Sequence, residues 1–253
     1  MNYKALESRR PPANKAAGSS IFSRIVFACR RFLDLQMHTV VRDLTPWLAT
    51  RNGSILDVGC GDQPYRKLLG KGCEYFGLDW EGSRTGFAMT EAKDVTYFDG
   101  GIFPFADRSF DSVLHTEVLE HVKNIDLFLK ECHRILRPGG ELGFTVPFQA
   151  RYHFIPFDYW RFTPSGLTEI LERSGFSKLE ISPRGSDITV AAYKVVGVFF
   201  RLALDGLAGK VLFVLFSWLV VLLLLIAHVS LIFDMGSSDD CLGYTVMANR
   251  PLE

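Results

Sequence analysis

Two glycines at the end of an apolar run, Gly59 and Gly61 in Ile55-Leu56-Asp57-Val58-Gly59-Cys60-Gly61-Asp62, are the first residues whose types and spacing suggest chemistry. Glycine tolerates positive φ and carries no Cβ, so the backbone there can turn sharply and come close to a ligand. The full GxGxxG dinucleotide pattern fails, because Pro64 stands where its third glycine belongs. A second apolar run, Tyr75-Phe76-Gly77-Leu78-Asp79, ends on a carboxylate able to accept both hydroxyls of a ribose, or equally to cap a helix. Further along, Glu117, Glu120 and His121 are spaced i, i+3 and i+4, which on a helix gathers them on one face toward one ion or substrate. His153 and Asp158 fall in an aromatic-rich run, 153–163, where a histidine and an acid suit general acid–base work on an acceptor.

These residues need a frame. Short strand-like runs at 54–58, 74–78, 94–98, 111–115 and 141–146 alternate with helix-like stretches at 63–69 and 124–136. Such alternation predicts parallel βαβ units in a Rossmann-like, doubly wound, mostly parallel α/β sheet. Ligands in these sheets sit beyond the carboxyl ends of the strands, where every residue named above falls. Upstream, apolar residues at helical spacing over 21–49 predict one or two amphipathic helices, interrupted near Pro46.

With the frame in place, the motifs resemble a known family. Asp99-Gly100-Gly101-Ile102-Phe103-Pro104-Phe105-Ala106-Asp107-Arg108-Ser109-Phe110-Asp111 is followed by Glu117-Val118-Leu119-Glu120-His121-Val122 and then by Leu136-Arg137-Pro138-Gly139-Gly140. In that order, over roughly residues 53–147, they are similar to the signatures of type-11 class I S-adenosylmethionine (SAM)-dependent methyltransferases. The resemblance implies a seven-stranded sheet and a SAM site. Asp57, Gly59 and Gly61 would shape the methionine pocket, Asp79 would hold the ribose hydroxyls, and Asp99 would face the adenine amino group, with Asp94 competing for that contact. Cys60, Trp80 and Gly100 adjoin them, and the backbone around His115 and Thr116 would lie near the sulfonium. Similar Glu-x-x-Glu-His runs in quinone-biosynthesis O-methyltransferases and small-RNA 2′-O-methyltransferases hold a divalent metal. The resemblance therefore makes Glu117, Glu120 and His121 candidate ligands for an ion such as Mg, with His153 able to add another. The 153–163 run resembles one in type-11 enzymes of polysaccharide and cell-envelope biosynthesis, which makes His153, Asp158 and His121 the candidate catalytic residues. Methyl transfer from a sulfonium is an in-line displacement that depends mostly on alignment; a base is needed only for a hydroxyl or a protonated amine.

Composition narrows the partners. The formal net charge of zero gives no case for a nucleic-acid binder, and the five scattered cysteines contain no CxxC pair. Residues 1–20 are basic and polar and are expected to be a disordered tail. Residues 21–185 are expected to form the methyltransferase domain, 186–239 an apolar membrane-associating insertion, and 240–253 the final strand of the sheet. Within the insertion, residues 211–233 carry no Asp, Glu, Lys or Arg and are long enough to span a bilayer. A single span would strand the last β-strand across the membrane, so a hairpin or an interfacial pair of helices on the cytoplasmic face is expected. Lys194 and Arg201, costing ~2.5–3.5 kcal/mol each at mid-bilayer, favour an interfacial first segment. The resulting expectation is a SAM-dependent enzyme methylating a cell-envelope saccharide, glycolipid or lipid-linked acceptor at a membrane surface. The alternatives are a quinone-type O-methyltransferase and a SAM-binding, non-catalytic membrane scaffold.

Overall fold

The structure is a computed structural model and describes residues 20–83 and 94–252. The expected tail therefore lies, but for Ser20, outside the described residues. The chain opens with α1 (Ile21–Leu33), whose N-cap Ser20 accepts from the Ser23 amide, and α2 (Leu35–Ala49). The break falls at Asp34 and not near Pro46, correcting the sequence expectation. Asp34 leaves helical geometry and accepts from the Met37 amide, so it caps a second helix, while Pro46 is carried inside α2. The buried residues Leu44 and Leu48 on either side of that proline hold α2 against the sheet.

Seven strands follow: β1 (Gly53–Val58), β2 (Cys73–Trp80), β3 (Val95–Phe98), β4 (Phe110–Thr116), β5 (Leu136–Pro147), β6 (Ser177–Pro183) and β7 (Gly243–Asn249). They are ordered β3-β2-β1-β4-β5-β7-β6, and only β7 runs antiparallel to its neighbours. The chain steps outward from β1 through β2 to β3 and then crosses back to β4, so the switch point lies between β1 and β4. One face packs α3 (Ile125–Ile135) and α4 (Pro164–Arg173) through Phe128, Leu129, Leu167 and Leu171; the other packs α2. Asn124 and Thr163 cap α3 and α4 through their side chains, and Pro164 takes the first helical position, where its missing N–H costs nothing. The helix expected over 63–69 shrinks to a 3-10 turn, Arg66–Leu68, whose leading residue Tyr65 offers no side-chain cap.

Between β6 and β7 the chain forms α5 (Asp187–Leu202), α6 (Gly206–Leu215) and α7 (Ser217–Ile232). The helix expected over 211–233 is broken at Phe216, and α6 and α7 meet at a 58° bend. Among the described residues no single helix is long and apolar enough to cross a membrane; only this bent pair passes, by length and composition. α5 and α7 share a small core of Val190, Val196, Val220 and Leu224 with Leu35 of α2. Outward, Leu207, Val214, Trp218, Val221 and Ile232 stand exposed, as do Ile21, Phe22 and Ile25 of α1.

Candidate active site

A cleft of about 1300 Å³ opens at the carboxyl ends of β1 and β4, the switch point of the sheet. After β1 the chain turns through Gly59 at φ +69° and Gly61 at φ +49°, both left-handed. A Cβ on Gly59 would lie 2.5 Å from Val118, so only glycine lets this loop pass beneath the loop after β4. The Gly61 amide donates to Asp79 at 3.2 Å, and the Trp80 amide donates to its other oxygen at 2.8 Å. Burial raises the Asp79 carboxyl, against the pull of these amide bonds.

Asp79, Trp80, Asp99, Gly100, Gly59, Cys60, Gly61 and Thr116 all line the cleft, as the sequence anticipated. Asp94 is turned away, ion-paired to Arg66 and bonded to Gln63, which leaves Asp99 at the cleft. The side chains of two expected cofactor residues sit elsewhere. Asp57 is buried behind the glycine loop, where Tyr75 donates to it at 2.8 Å. Burial pushes its carboxyl up to about 7, opposed by the Tyr75 bond. The His115 side chain lies in the core, stacked on Phe144 at 4.4 Å and edge-on to Phe128, so only its backbone, next to Thr116 at the end of β4, is left for the role expected of it. Burial pushes this imidazole down to about 3, so it stays neutral.

The two acid–histidine clusters meet. β4 ends at Thr116 and is followed by a 3-10 turn, Leu119–His121, so Glu117, Glu120 and His121 are not on one face of an α-helix. Glu117, at φ +52°, is drawn instead to the buried Arg184 at 2.7 Å. His153 takes the vacated place: one ligand atom each from Glu120, His121 and His153 lies within 4.8 Å of the others. The 153–163 loop docks on this turn. Tyr159 and Trp160 amides donate to the Glu120 carbonyl, and the Trp160 indole donates to the Val122 carbonyl at 2.9 Å.

His121 Nδ1 lies 2.8 Å from the Phe157 carbonyl, so that nitrogen carries the proton and Nε2 keeps its lone pair, 3.6 Å from Glu120. Burial, then the neighbouring His153, lowers the His121 ring to about 4, which makes it neutral at pH 7. Burial and the nearby Glu117 charge raise the Glu120 carboxyl well above the usual range, and both its side-chain oxygens are buried with no hydrogen-bond partner among the described residues. Asp158 lies behind the cleft wall. Arg161 clamps it at 2.6 and 2.9 Å, and the His153 amide donates to it at 3.0 Å. Burial alone would raise Asp158, but the Arg161 and His153 bonds outweigh it and hold the carboxyl low. With its lone pairs committed, it positions the loop and does not reach an acceptor, a correction to the catalytic role expected of it.

Sequence reading missed the far wall. Ile25, Val26 and Leu33 of α1 and Lys194, Phe200 and Arg201 of α5 line the same cleft. The helical periodicity around 21–33 was the available signal for α1; nothing local ties α5 to the glycine loop. Arg184 was also missed. It is a lone cation closing an otherwise uncharged strand end, the sort of residue that is buried only when paired.

The donor set fits SAM. Among the described cleft residues from Val58 to Gly100 there are three carboxylates and no Lys or Arg, which suits a cationic sulfonium joined to a nucleoside. Residues 56–144 match the family model described as a methyltransferase domain. The chain is 34% identical over 168 residues to a ubiquinone biosynthesis O-methyltransferase of Agrobacterium fabrum, covering 60% of this chain and 64% of that one. A protein of the same description from Rhizobium etli is 33% identical over 164 residues, covering 58% and 63%. The chain thus spans less than two thirds of the length of these relatives. Among solved structures, a SAM-dependent methyltransferase from Archaeoglobus fulgidus superposes with a TM-score of 0.53 at 17% identity, over 88% of this chain and 99% of that one. The [4+2]-cyclase SpnF matches at 0.50 and 19%, over 86% and 82%, so this fold also serves other chemistry. Glycine loop, acidic strand ends and matched domain coincide, and residues 56–144 carry the methyltransferase domain of the type-11 family.

Proposed function

We propose that the protein moves a methyl group from SAM to a lipid-linked or glycolipid acceptor at a membrane surface. The observation that carries this reading is the position of the cleft: its outer wall is built from α1 and α5, helices that also present uncovered apolar side chains, Ile21 and Phe22 on α1 and Val195 and Val198 on α5. SAM, when bound, supplies the methyl group on a good leaving group. Asp79 and Asp99 hold and orient its nucleoside, and the glycine loop lets the backbone close on it. Neutral His121, which lines the cleft and holds its proton on Nδ1, can take the proton of an acceptor hydroxyl. Arg161 and Asp158 hold the His153 loop against that turn. Exposed apolar patches of this extent mark interaction surfaces, and amphipathic helices with basic residues suit the cytoplasmic face of an anionic bilayer.

A second reading, a quinone-type O-methylation assisted by a divalent ion, is favoured by the relatives' names and by one observation. The orphaned Glu120 carboxyl, with His121 and His153, forms a donor set that fits a divalent cation, which would polarise an acceptor oxygen. Glu117 is spent on Arg184 and is not part of that set.

Methyl-labelled SAM, incubated with the protein and total membrane extract, separates the readings. Label in the lipid-linked saccharide or glycolipid fraction is expected. Label confined to a prenylated phenol would move the assignment to the second reading, and SAM binding with no turnover would leave a non-catalytic scaffold. Sedimentation with vesicles containing phosphatidylglycerol is expected too, and failure to sediment would remove the membrane from the reading.

A further inference from the structure

The cleft exceeds the ~300–1,000 Å³ usual for a small-molecule site, and α1 and α5 supply one wall of it. Ile25 and Val26 on α1, Phe200 on α5 and Leu204 just past its end line the cleft and are also exposed at the surface. Side chains that do both mark a mouth, and this mouth is apolar. Lys194, Gly197 and Arg201 follow at steps of three and four residues, one face of α5, and all three line the cleft.

Gly197 is the telling residue. Glycine inside a helix is unfavourable, and close packing is its usual excuse. Here a Cβ would meet nothing within 4 Å. The glycine leaves a notch in the cleft wall, with a cation about one turn to either side. Neither Lys194 nor Arg201 makes an ion pair among the described residues.

We propose that this notch is a lateral portal for an acceptor whose polar end is joined to one long apolar chain through an anionic, phosphate-type link. The chain leaves the cleft over Gly197, between Ile25 and Phe200, toward the uncovered apolar surface. Its anionic link meets Lys194 and Arg201, where charge-assisted hydrogen bonds are strongest. The polar end continues toward Gly59 and His121. The proposal rests on the methyl-transfer reading of this site and adds the class of acceptor. A neutral prenylated phenol would give the two cations nothing to bind.

Calorimetry on the full chain with three probes tests it: farnesyl monophosphate below its micelle concentration, farnesol, and inorganic phosphate. Farnesyl monophosphate should bind tightest. Lys194→Gln with Arg201→Gln should weaken it by about tenfold or more, the loss of one charge-assisted bond, and leave farnesol unchanged. Gly197→Phe should weaken both chain-bearing probes by about tenfold while SAM affinity stays within about twofold. Unchanged farnesyl monophosphate affinity in Gly197→Phe would overturn the portal, and so would inorganic phosphate binding as tightly as the prenyl phosphate. Should Gly197→Phe lose SAM binding through misfolding, Gly197→Leu and the paired Gln variant decide by the same criteria. Failure of the unsubstituted protein to bind farnesyl monophosphate, with SAM binding and turnover intact, would sink the portal alone; absence of SAM binding in the unsubstituted protein would sink the methyl-transfer reading beneath it.

Discussion

Arg184 has no exposed side-chain surface, and among the described residues its one carboxylate partner is Glu117 at 2.7 Å, itself 27% exposed. Removing one member of a buried pair strands the other's charge, at a typical cost of 3–5 kcal/mol. Glu117→Ala should fall near the low end, at about 3 kcal/mol, for two structural reasons. Water already reaches Glu117, and Arg184 keeps the Val146 carbonyl at 3.2 Å with longer approaches of 3.4 Å to the Gln36 carbonyl and Thr39 hydroxyl. Arg184→Met should cost less, because the carboxylate it leaves behind can hydrate. The double variant Glu117→Ala/Arg184→Met should then be more stable than the sum of the singles predicts, by about 2 kcal/mol. Urea unfolding followed by far-ultraviolet circular dichroism at pH 7 measures all three. A Glu117→Ala variant within about 0.5 kcal/mol of the parent would refute the reasoning, since Arg184 would then be solvated some other way. It would also return Glu117 to the pool of candidate metal ligands.

Asp79→Ala should weaken SAM binding by about tenfold or more, because a charged acceptor of the ribose hydroxyls is lost; unchanged affinity in calorimetry, with the fold intact, would remove Asp79 from the site. Asp57 carries a pH signature. Its carboxyl is pushed up from near 4 to about 7 in the fold, so the folded state binds the extra proton. Relative to Asp57→Asn, the parent should therefore be most stable below pH 4 and lose on the order of 4 kcal/mol as pH rises to 7, and a flat difference would show that Asp57 is hydrated. If the divalent-ion reading holds, EDTA should lower turnover, Mn or Mg should restore it, and Glu120→Gln should abolish the response; full turnover in excess chelator would leave the cluster metal-free.

The strands were legible because each is a short apolar run ending in residues that cannot continue it, and four of the first five fall within two residues of the expected bounds at both ends. β5 starts earlier, since Leu136 pairs with Phe110 before the run at 141 begins. The cleft floor was legible for the same reason: Gly59, Asp79 and Asp99 follow strand ends in a parallel sheet and must converge. What failed depends on distant partners. Glu117 reads as a helical neighbour of Glu120 until Arg184, 67 residues away, turns it aside. His115 closes a strand-like run, which does not say where its ring goes; Phe144 on the neighbouring strand and Phe128 of α3 make that ring core. The break at Asp34 needed a comparison the sequence does not offer, between a capping carboxylate and a proline that tertiary packing tolerates.

The insertion joins these two levels. β6 runs parallel to β1 and β4, so it ends at the cleft end of the sheet, and antiparallel β7 begins there. The ends of the insertion are clasped by paired backbone bonds, the Arg184 amide to the Gly243 carbonyl at 2.7 Å and the Leu242 amide to the Arg184 carbonyl at 3.0 Å. Ser186 and Asp187 add bonds to Met235 and Ser237. α5, α6 and α7 must therefore leave and re-enter on one side, and that side is the one on which the cleft opens. A span that carried β7 across a bilayer would break its ladders to both β5 and β6, leaving a row of backbone donors and acceptors unpaired. The sheet thus fixes where the apolar helices leave and return, at the same end of the sheet as the cleft.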